Sequence, residues 1–255
     1  MYAEERQHAM AQLVAERGRL SVAELATAYD VTTETVRRDL SALERLGLLR
    51  RVHGGAVPAH ALSSLEAGLG ERDRVRVEAK DRIAEAALAL LPPAGSTVVL
   101  DAGSTTTRFV SAWPRDVRLT VFTHSVPLIA RLAALPQVDL HLLPGRVRPT
   151  TQAAVGADTV EALGRLRADV AFIGTNALTV EHGLSTPDPE EAATKRAVVG
   201  AARQVVVLTD SAKIGEEALV SFAPLASLDV VVTDDEITDA ERTAIEAAGP
   251  EVVIA

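Results

Sequence analysis
The chain has 255 residues, 47% of them hydrophobic, and a formal net charge of −9. That length buries a substantial core in one or two domains. The absence of cysteine excludes disulfides and thiolate metal sites and fits a reducing compartment. No apolar signal region follows Met1 and no uncharged run approaches a membrane span, so a soluble, cytoplasmic protein without a membrane partner is expected.

The first helix is expected from about Ala3 to Arg17, with Met10, Leu13 and Val14 inward and Gly18 just past its end. Ser21-Val22-Ala23-Glu24 has the form of a capping box, the serine accepting from a free helical N–H and the glutamate reaching back. It starts a short helix that turns Val22, Leu25 and Ala26 inward and breaks near Asp30. TTETVRRDL, Thr32 to Leu40, then places Val36, Leu40 and the following Leu43 on one apolar face. Thr33, Glu34, Arg37, Arg38 and Ser41 point away from it. Two short helices joined by so tight a turn form a helix-turn-helix, whose second helix lies in the major groove.

LLRRVHGGAV, Leu48 to Val57, reads as a basic β-hairpin wing. Arg50, Arg51 and Val52 form its outgoing strand, His53 lies in the wing, and Gly54-Gly55 allow the positive φ values of a tight hairpin. An Arg-Arg pair alone is ordinarily a solvated helix face; this order of elements makes it a DNA-binding surface. Its expected contacts are Thr33, Glu34, Thr35, Arg37, Arg38, Arg50, Arg51, His53 and Gly54. The charge divides accordingly. Residues 1–60 hold eight arginines against eight acids, while the remaining 18 basic and 27 acidic residues carry all nine negative charges. The cations of the helix and wing therefore stand in a neutral module on an otherwise acidic protein.

Pro58 ends this unit, so residues 1–57 are assigned to a winged helix-turn-helix domain. Residues 58–76 show no apolar periodicity and read as a linker; residues 77–255 form a second, larger domain, opening with a helix from about Val77 to Leu91. Apolar runs then recur at 97–103, 119–125, 138–145, 169–174, 204–210, 228–234 and 251–255. Most are valine-rich and continuously apolar, as strands buried on both faces are. With alanine-rich helical segments between them, they predict an α/β fold: an open, mainly parallel sheet with helices on both sides.

Ligands of such sheets bind at the carboxyl ends of the strands, and polar residues gather there in this chain. Asp101-Ala-Gly103-Ser104-Thr105-Thr106 closes the first strand and opens a helix, with the makings of a phosphate loop. Neither GK[ST] nor GxGxxG occurs, so a nucleotide is disfavoured. Further ends bring Thr123-His124-Ser125, Gly174-Thr175-Asn176 and Asp210-Ser211-Ala212-Lys213. A loop from Gly183, stiffened by Pro187 and Pro189, begins a helix that sets Glu191 and Lys195 at i,i+4. Against 23 arginines the chain has only three lysines, Lys80, Lys195 and Lys213. Two of them stand in strand-end loops, where a compact ammonium suits a ligand. The histidines have no metal-ligand spacing, and no catalytic triad is legible.

VAELA, TTETVRRDL and RRVHGGAV together resemble the winged helix of the DeoR family of bacterial transcription regulators, and DAGSTTT, GLSTPDPEEAATKR and LTDSAKIG resemble that family's effector domain. The resemblance covers nearly the whole chain and is nearest to actinobacterial regulators of sugar phosphotransferase-system genes. It implies a repressor whose effector domain is related in fold to ribose-phosphate isomerases and which a phosphorylated sugar or polyol releases from its operator. The family's ligand positions fall on Asp101, Gly103, Ser104, Thr105, Thr106, Glu191, Lys195, Asp210 and Lys213. Thr123, His124, Gly145 and Asn176 are added as candidate contacts. Two departures stand out: Thr123-His124-Ser125 where many members read Thr-Asn-Ser, and Pro144-Gly145 where many have a double glycine.

The expectation is a homodimeric or homotetrameric repressor of sugar uptake or catabolism genes. Its partners are operator DNA and a sugar phosphate, with fructose 1-phosphate and fructose 6-phosphate first among candidates. No cofactor, metal or catalytic residue is expected. The alternatives are an isomerase-like enzyme with a DNA-binding module, or a transcriptional activator.

Overall fold
The computed structural model describes residues 3–18, 20–46, 48–52, 54–58 and 67–255, with 3, 4 and 50–52 as backbone alone. The chain divides into two units, Met1–Ser64 and Leu65–Ala255.

The first unit runs α1 (Ala3–Arg17), β1 (Leu20–Ser21), α2 (Val22–Tyr29), α3 (Thr33–Arg45), β2 (Leu49–Val52) and β3 (Gly55–Pro58), its three strands ordered β1-β3-β2. Its core is Met10, Val14, Leu20, Leu25, Val36, Leu40, Leu43, Leu49 and Ala56. The expected cap forms, and a second one accompanies it. Ser21 and Glu24 close a capping box on α2, and Thr32 accepts from the Thr35 N–H at the start of α3. Asp30 takes the left-handed conformation that ends α2.

The paired glycines of the wing divide their work. Only Gly54 has a positive φ, 78°. At Gly55 a Cβ would meet the Leu20 carbonyl oxygen at 2.2 Å, so this glycine is required by the close approach of β1 to β3 rather than by its own torsion. A polar tie escaped the sequence pattern. Asp39, 3% exposed on the inner face of α3, accepts from Arg6 Nε at 2.7 Å and Gln7 Nε2 at 2.8 Å.

The second unit comprises α4 (Leu69–Asp73), α5 (Val77–Ala87), β4 (Thr97–Leu100), α6 (Ser104–Ser111), β5 (Leu119–Thr123), α7 (Val126–Leu132), β6 (Val138–Leu142), β7 (Arg146–Arg148), β8 (Ala153–Val155), α8 (Ala157–Gly164), β9 (Ala168–Gly174), β10 (Ala177–Thr179), β11 (Gly183–Thr186), α9 (Pro189–Gly200), β12 (Ala202–Leu208), β13 (Val220–Ala223), β14 (Val230–Thr233), α10 (Asp239–Ala247) and β15 (Glu251–Ile254). Seven strands form one sheet in the order β15-β14-β12-β9-β4-β5-β6, every neighbouring pair parallel. Each of the seven apolar runs supplies one of them. Alternate residues reach opposite cores: Val99, Ala171, Ile173, Val205, Val207 and Val231 pack with α8, α9 and α10. Val98, Leu100, Val170, Phe172, Val206 and Val232 pack with α5, α6 and α7, where Phe109 touches Trp113 and Phe172.

From β4 the chain first lays strands on one side, β5 and β6, then crosses to β9 and continues outward through β12, β14 and β15. The strand order therefore reverses between β4 and β9, the place where an open α/β sheet leaves a crevice. Three features depart from the sequence reading. Residues 67–76 of the expected linker belong to the second unit: Leu69 is buried, and its N–H donates to the Thr150 carbonyl at 2.9 Å. The helix from Val77 stops at Ala87 and continues as a tight 3₁₀ turn, Leu88–Leu90. Residues 183–186 are strand rather than loop, in a small sheet ordered β10-β11-β13. Among the described residues no helix is long and apolar enough to cross a membrane.

Because Asp39 gathers two donors from α1, Asp39→Ala should lower the opening free energy of the first unit by about 2 kcal/mol. Hydrogen exchange on the full chain checks this: α1 and α3 amides should lose protection while β9 and β12 keep theirs.

Candidate functional site
A narrow cleft opens at the switch point between β4 and β9. Gly103, Ser104, Thr105 and Thr106 form one wall, Gly174, Thr175 and Asn176 another; Lys195 on α9, Lys213 on the turn after β12 and Arg72 on α4 complete it. Gly103 makes no side-chain cap for α6, leaving that helix's first N–H groups to another acceptor. The Thr106 hydroxyl oxygen, in a residue 0% exposed, has no hydrogen-bond partner. It lies 3.5 Å from where a Cβ on Gly103 would stand and 4.0 Å from one on Gly174, between the two walls. A buried hydroxyl with nothing to bond is costly, and here it faces the cleft.

Beneath the cleft lies a fully buried ion pair. Lys195 Nζ donates to Asp101 Oδ2 at 2.5 Å and to the Gly174 carbonyl at 3.0 Å. The Gly174 N–H donates to the same carboxylate oxygen at 2.9 Å, and His124 Nε2 lies 3.0 Å from Oδ1. His124 Nδ1 faces the Ala154 carbonyl at 2.8 Å, an acceptor only, so that nitrogen carries a proton. Burial alone would raise the Asp101 carboxyl; the Lys195 charge and the His124 hydrogen bond outweigh it and hold the group at about 2. Two of the three ammonium protons of Lys195 are thus committed, and Glu191 Oε1 lies 3.9 Å from the same nitrogen.

Lys213 stands in a second group of charges. Lys213 Nζ donates to the Thr175 carbonyl at 3.0 Å and lies 3.5 Å from Asp210 Oδ2. Its pKa is lowered, first by burial, with Arg72 and Lys195 adding repulsion against the pull of Asp210. Asp210 is shared with Arg76, 3.6 Å away, which also pairs with Asp234 at 3.0 Å and Glu236 at 3.0 Å.

Of the expected ligand residues, Gly103, Ser104, Thr105, Thr106, Asn176, Lys195 and Lys213 line the cleft. Asp101 and His124 lie one layer beneath it, and Asp210 lies behind Lys213. Glu191, 2% exposed, takes Arg148 Nη1 at 2.9 Å and stands 3.9 Å from Lys195, so it orients that lysine and does not line the cleft. Thr123 is buried with its hydroxyl donating to the Leu100 carbonyl at 2.9 Å and accepting from the Ser125 N–H, which corrects its ligand assignment. Gly145 also does other work: a Cβ there would meet Thr159 Oγ1 at 2.2 Å, so the glycine admits the start of α8. Arg72 was missed, because a five-residue helix in a charged stretch has no periodicity to read. Arg148 was missed because its acidic partners lie some forty residues ahead.

In the first unit Thr33, Glu34, Arg37 and Arg38 are exposed along α3, with Arg37 Nη1 3.5 Å from Glu34. Thr35 is half-buried and bonded to the Thr32 cap. Arg50 and Arg51 pair through their backbones with Val57 and Ala56; their side chains, and all of His53, lie outside the described residues. Gly54 is exposed at the tip of the wing. Among the described residues no group of three or more histidine or acidic side chains could hold a metal ion.

Residues 6–61 match the DeoR-like helix-turn-helix domain and residues 75–235 the DeoR C terminal sensor domain. The HTH-type transcriptional regulator GlpR of Haloferax volcanii is 36% identical over 249 residues, 98% of this chain and 96% of that protein. The glycerol-3-phosphate regulon repressor of Escherichia coli is 29% identical over 230 residues, 90% of each chain. Among solved structures, ribose 5-phosphate isomerase A of Neisseria gonorrhoeae is similar over 56% of this chain and 54% of its own, with 16% identity and a TM-score of 0.40. That likeness is too loose to bear on activity.

The depressed Asp101 pKa has a defined sign. Its stabilising contribution is present above the unfolded value near 4 and is lost as pH falls through about 2. Acid titration of the parent should therefore cost the second unit about 2 kcal/mol across that window. In Asp101→Asn that component should vanish, while stability at neutral pH falls because the Lys195 charge is left buried without its partner. Urea melts at stepped pH, followed by circular dichroism, test both.

Proposed function
The chain belongs to the DeoR family of transcriptional regulators, and from that premise we propose that it represses sugar uptake or catabolism genes and leaves its operator when a phosphorylated sugar fills the cleft. The observation that carries the ligand class is the partnerless Thr106 hydroxyl at the uncapped start of α6, faced by Lys195 and Lys213. A phosphate there accepts from backbone N–H groups, hydroxyls and ammonium groups at once. Asn176 offers its amide to the sugar hydroxyls. Fructose 1-phosphate and fructose 6-phosphate are the first candidates, in keeping with the resemblance to actinobacterial phosphotransferase-system regulators.

The same geometry argues against turnover. Asp101 already accepts from Lys195 and the Gly174 N–H and its carboxyl is held at about 2, which makes it a weak base toward a substrate carbon at neutral pH. The protein acts in the cytoplasm as a homodimer or homotetramer, since one winged helix covers too little duplex for a specific site and paired half-sites need paired modules. A ligand of the second unit can release DNA only by favouring a conformation in which those modules no longer match the operator.

Arg38 on the exposed face of α3 is assigned to a base edge. Arg38→Ala should weaken operator binding by about 1–3 kcal/mol and relax preference at one base pair, as gel shifts with single-base operator variants would report. Unchanged affinity and preference would remove Arg38 from the reading.

Thermal shift with sugar phosphates and their free sugars tests the cleft. Phosphorylated forms should raise the melting temperature and the free sugars should not; equal shifts would dismiss the phosphate loop as the anchor. Lys213→Ala should keep operator binding and lose release, and incubation with pentose and hexose phosphates should produce no isomer.

A further inference from the structure
β6 (Val138–Leu142) ends the seven-stranded sheet, and among the described residues no strand pairs with its outer side. The Leu119 N–H donates to the Gln137 carbonyl and the Leu143 N–H to the Thr123 carbonyl, so the odd-numbered residues of this stretch turn their backbone groups toward β5. That direction alternates along a strand, so Leu140 and Leu142 turn theirs outward. An edge of this kind is ordinarily blunted by lysine, proline or a bulge. β6 has none of these: its sequence is VDLHL, and its register with β5 runs unbroken from Val138 to Leu142. Leu142, 59% exposed, leaves an apolar side chain uncovered at the end of the strand.

The side chains of β6 divide by face. Val138, Leu140 and Leu142 share one face, on which Val138 and Leu140 join the core that holds α7. Asp139 and His141 share the other, with His141 Nε2 3.3 Å from Asp139 Oδ2 and its ring stacked on Phe122 at 4.5 Å. Both of these polar side chains are exposed. The segment is therefore its own complement. Laid antiparallel against a second copy with Leu140 at the centre, the outward backbone groups of the two Leu140 residues meet. Val138 then lies opposite Leu142, and Asp139 opposite His141, each pair occurring twice. A slip of one residue would set outward backbone groups against inward ones. Moving the centre to Asp139 would set carboxylate against carboxylate, and moving it to His141 would set Asp139 against Leu143. The other edge strand, β15, offers no such match: EVVI has one charged residue, Glu251, and no histidine or basic counterpart.

We propose that β6 is the interface between two copies of this chain, its strands pairing antiparallel about a twofold axis at Leu140, with Asp139 and His141 fixing the register. This rests on the reading that paired modules bind paired half-sites, and it names the surface that pairs them. The two seven-stranded sheets become one, and each copy closes the free edge of the other. Leu142 is covered by Val138 of the second copy. The contact is isologous, so it closes at two copies, and a homotetramer would need a second surface.

Sedimentation of the full chain through a dilution series tests this. Asp139→Lys and His141→Glu change exposed side chains, and circular dichroism checks that each variant folds as the parent does. His141→Glu sets carboxylates against each other at both pairs, so the dissociation constant of one assembly step should rise roughly ten-fold. Asp139→Lys, which removes both hydrogen-bonding pairs, should raise it by several-fold. Mixed in equal amounts, the two variants offer each other one parental pair and one lysine–glutamate pair, so the mixture should recover most of the parent's affinity. Leu142→Glu puts a carboxylate opposite Val138 and should weaken the same step. Unchanged dissociation in His141→Glu or in Leu142→Glu, or no recovery on mixing, would overturn β6 in this register as the interface and leave the oligomeric repressor standing. A parent that stays monomeric at every concentration would remove the paired-module reading and this inference together.

Discussion
The buried pair between Lys195 and Asp101 is the constraint on which the second unit depends. An ion pair without solvent is a poor source of stability unless every lone pair and proton finds a partner. Here the carboxylate takes Lys195, the Gly174 N–H and His124, and the ammonium also takes the Gly174 carbonyl. Those bonds join the ends of β4 and β9, the strands between which the order reverses, and draw in His124 just after β5 and Lys195 on α9. The crevice of an open sheet is a place where strands diverge. This pair holds it to one width, so that Gly103–Thr106 and Gly174–Asn176 face each other across a fixed gap.

The small sheet β10-β11-β13 does the complementary work. Asn176 immediately precedes β10, β11 leads into the start of α9, and β13 follows the loop carrying Lys213. Inside it, Thr175 Oγ1 donates to the Ala177 and Ser185 carbonyls, the Ala218 N–H donates to Ser185 Oγ, and the Gly215 N–H donates to the Leu178 carbonyl. Arg148 then braces α9 from the β7–β8 hairpin, pairing with Asp188 at 3.2 Å and Glu191 at 2.9 Å. Three cleft-lining segments are thus set by this layer. Glu191 belongs to that layer, which is why a residue in a ligand motif sits out of the cleft.

Legibility followed the range of the interaction. The parallel sheet could be read because strands buried on both faces need continuous apolar runs, and TVVL, AFIG and VVVL are such runs. The helix-turn-helix could be read because Ser21 with Glu24, and Val36 with Leu40 and Leu43, act within one or two turns. Strands of three or four residues, such as Ala177–Thr179, carry too few side chains to alternate visibly. Asp39 with Arg6, Arg148 with Glu191, and Gly145 with Thr159 are contacts between distant segments, and nothing local marks them. The scarcity of lysine pointed correctly at Lys195 and Lys213 as cleft residues. It passed over Lys80, whose compact ammonium meets two carbonyls of its own chain instead of a ligand.

The distribution of charge completes the physical picture. All nine net negative charges lie beyond residue 60, yet the cleft in that region is lined by Arg72, Lys195 and Lys213. At physiological ionic strength a surface charge is screened within about 8 Å, so the acidic exterior is a weak barrier to a small dianion. Lys195 and Lys213 are each held by a carbonyl as well as by a carboxylate, at Gly174 with Asp101 and at Thr175 with Asp210, which fixes their positions. Cations gathered at one end of the sheet in an otherwise acidic domain are the arrangement from which the proposed preference for a phosphorylated ligand follows.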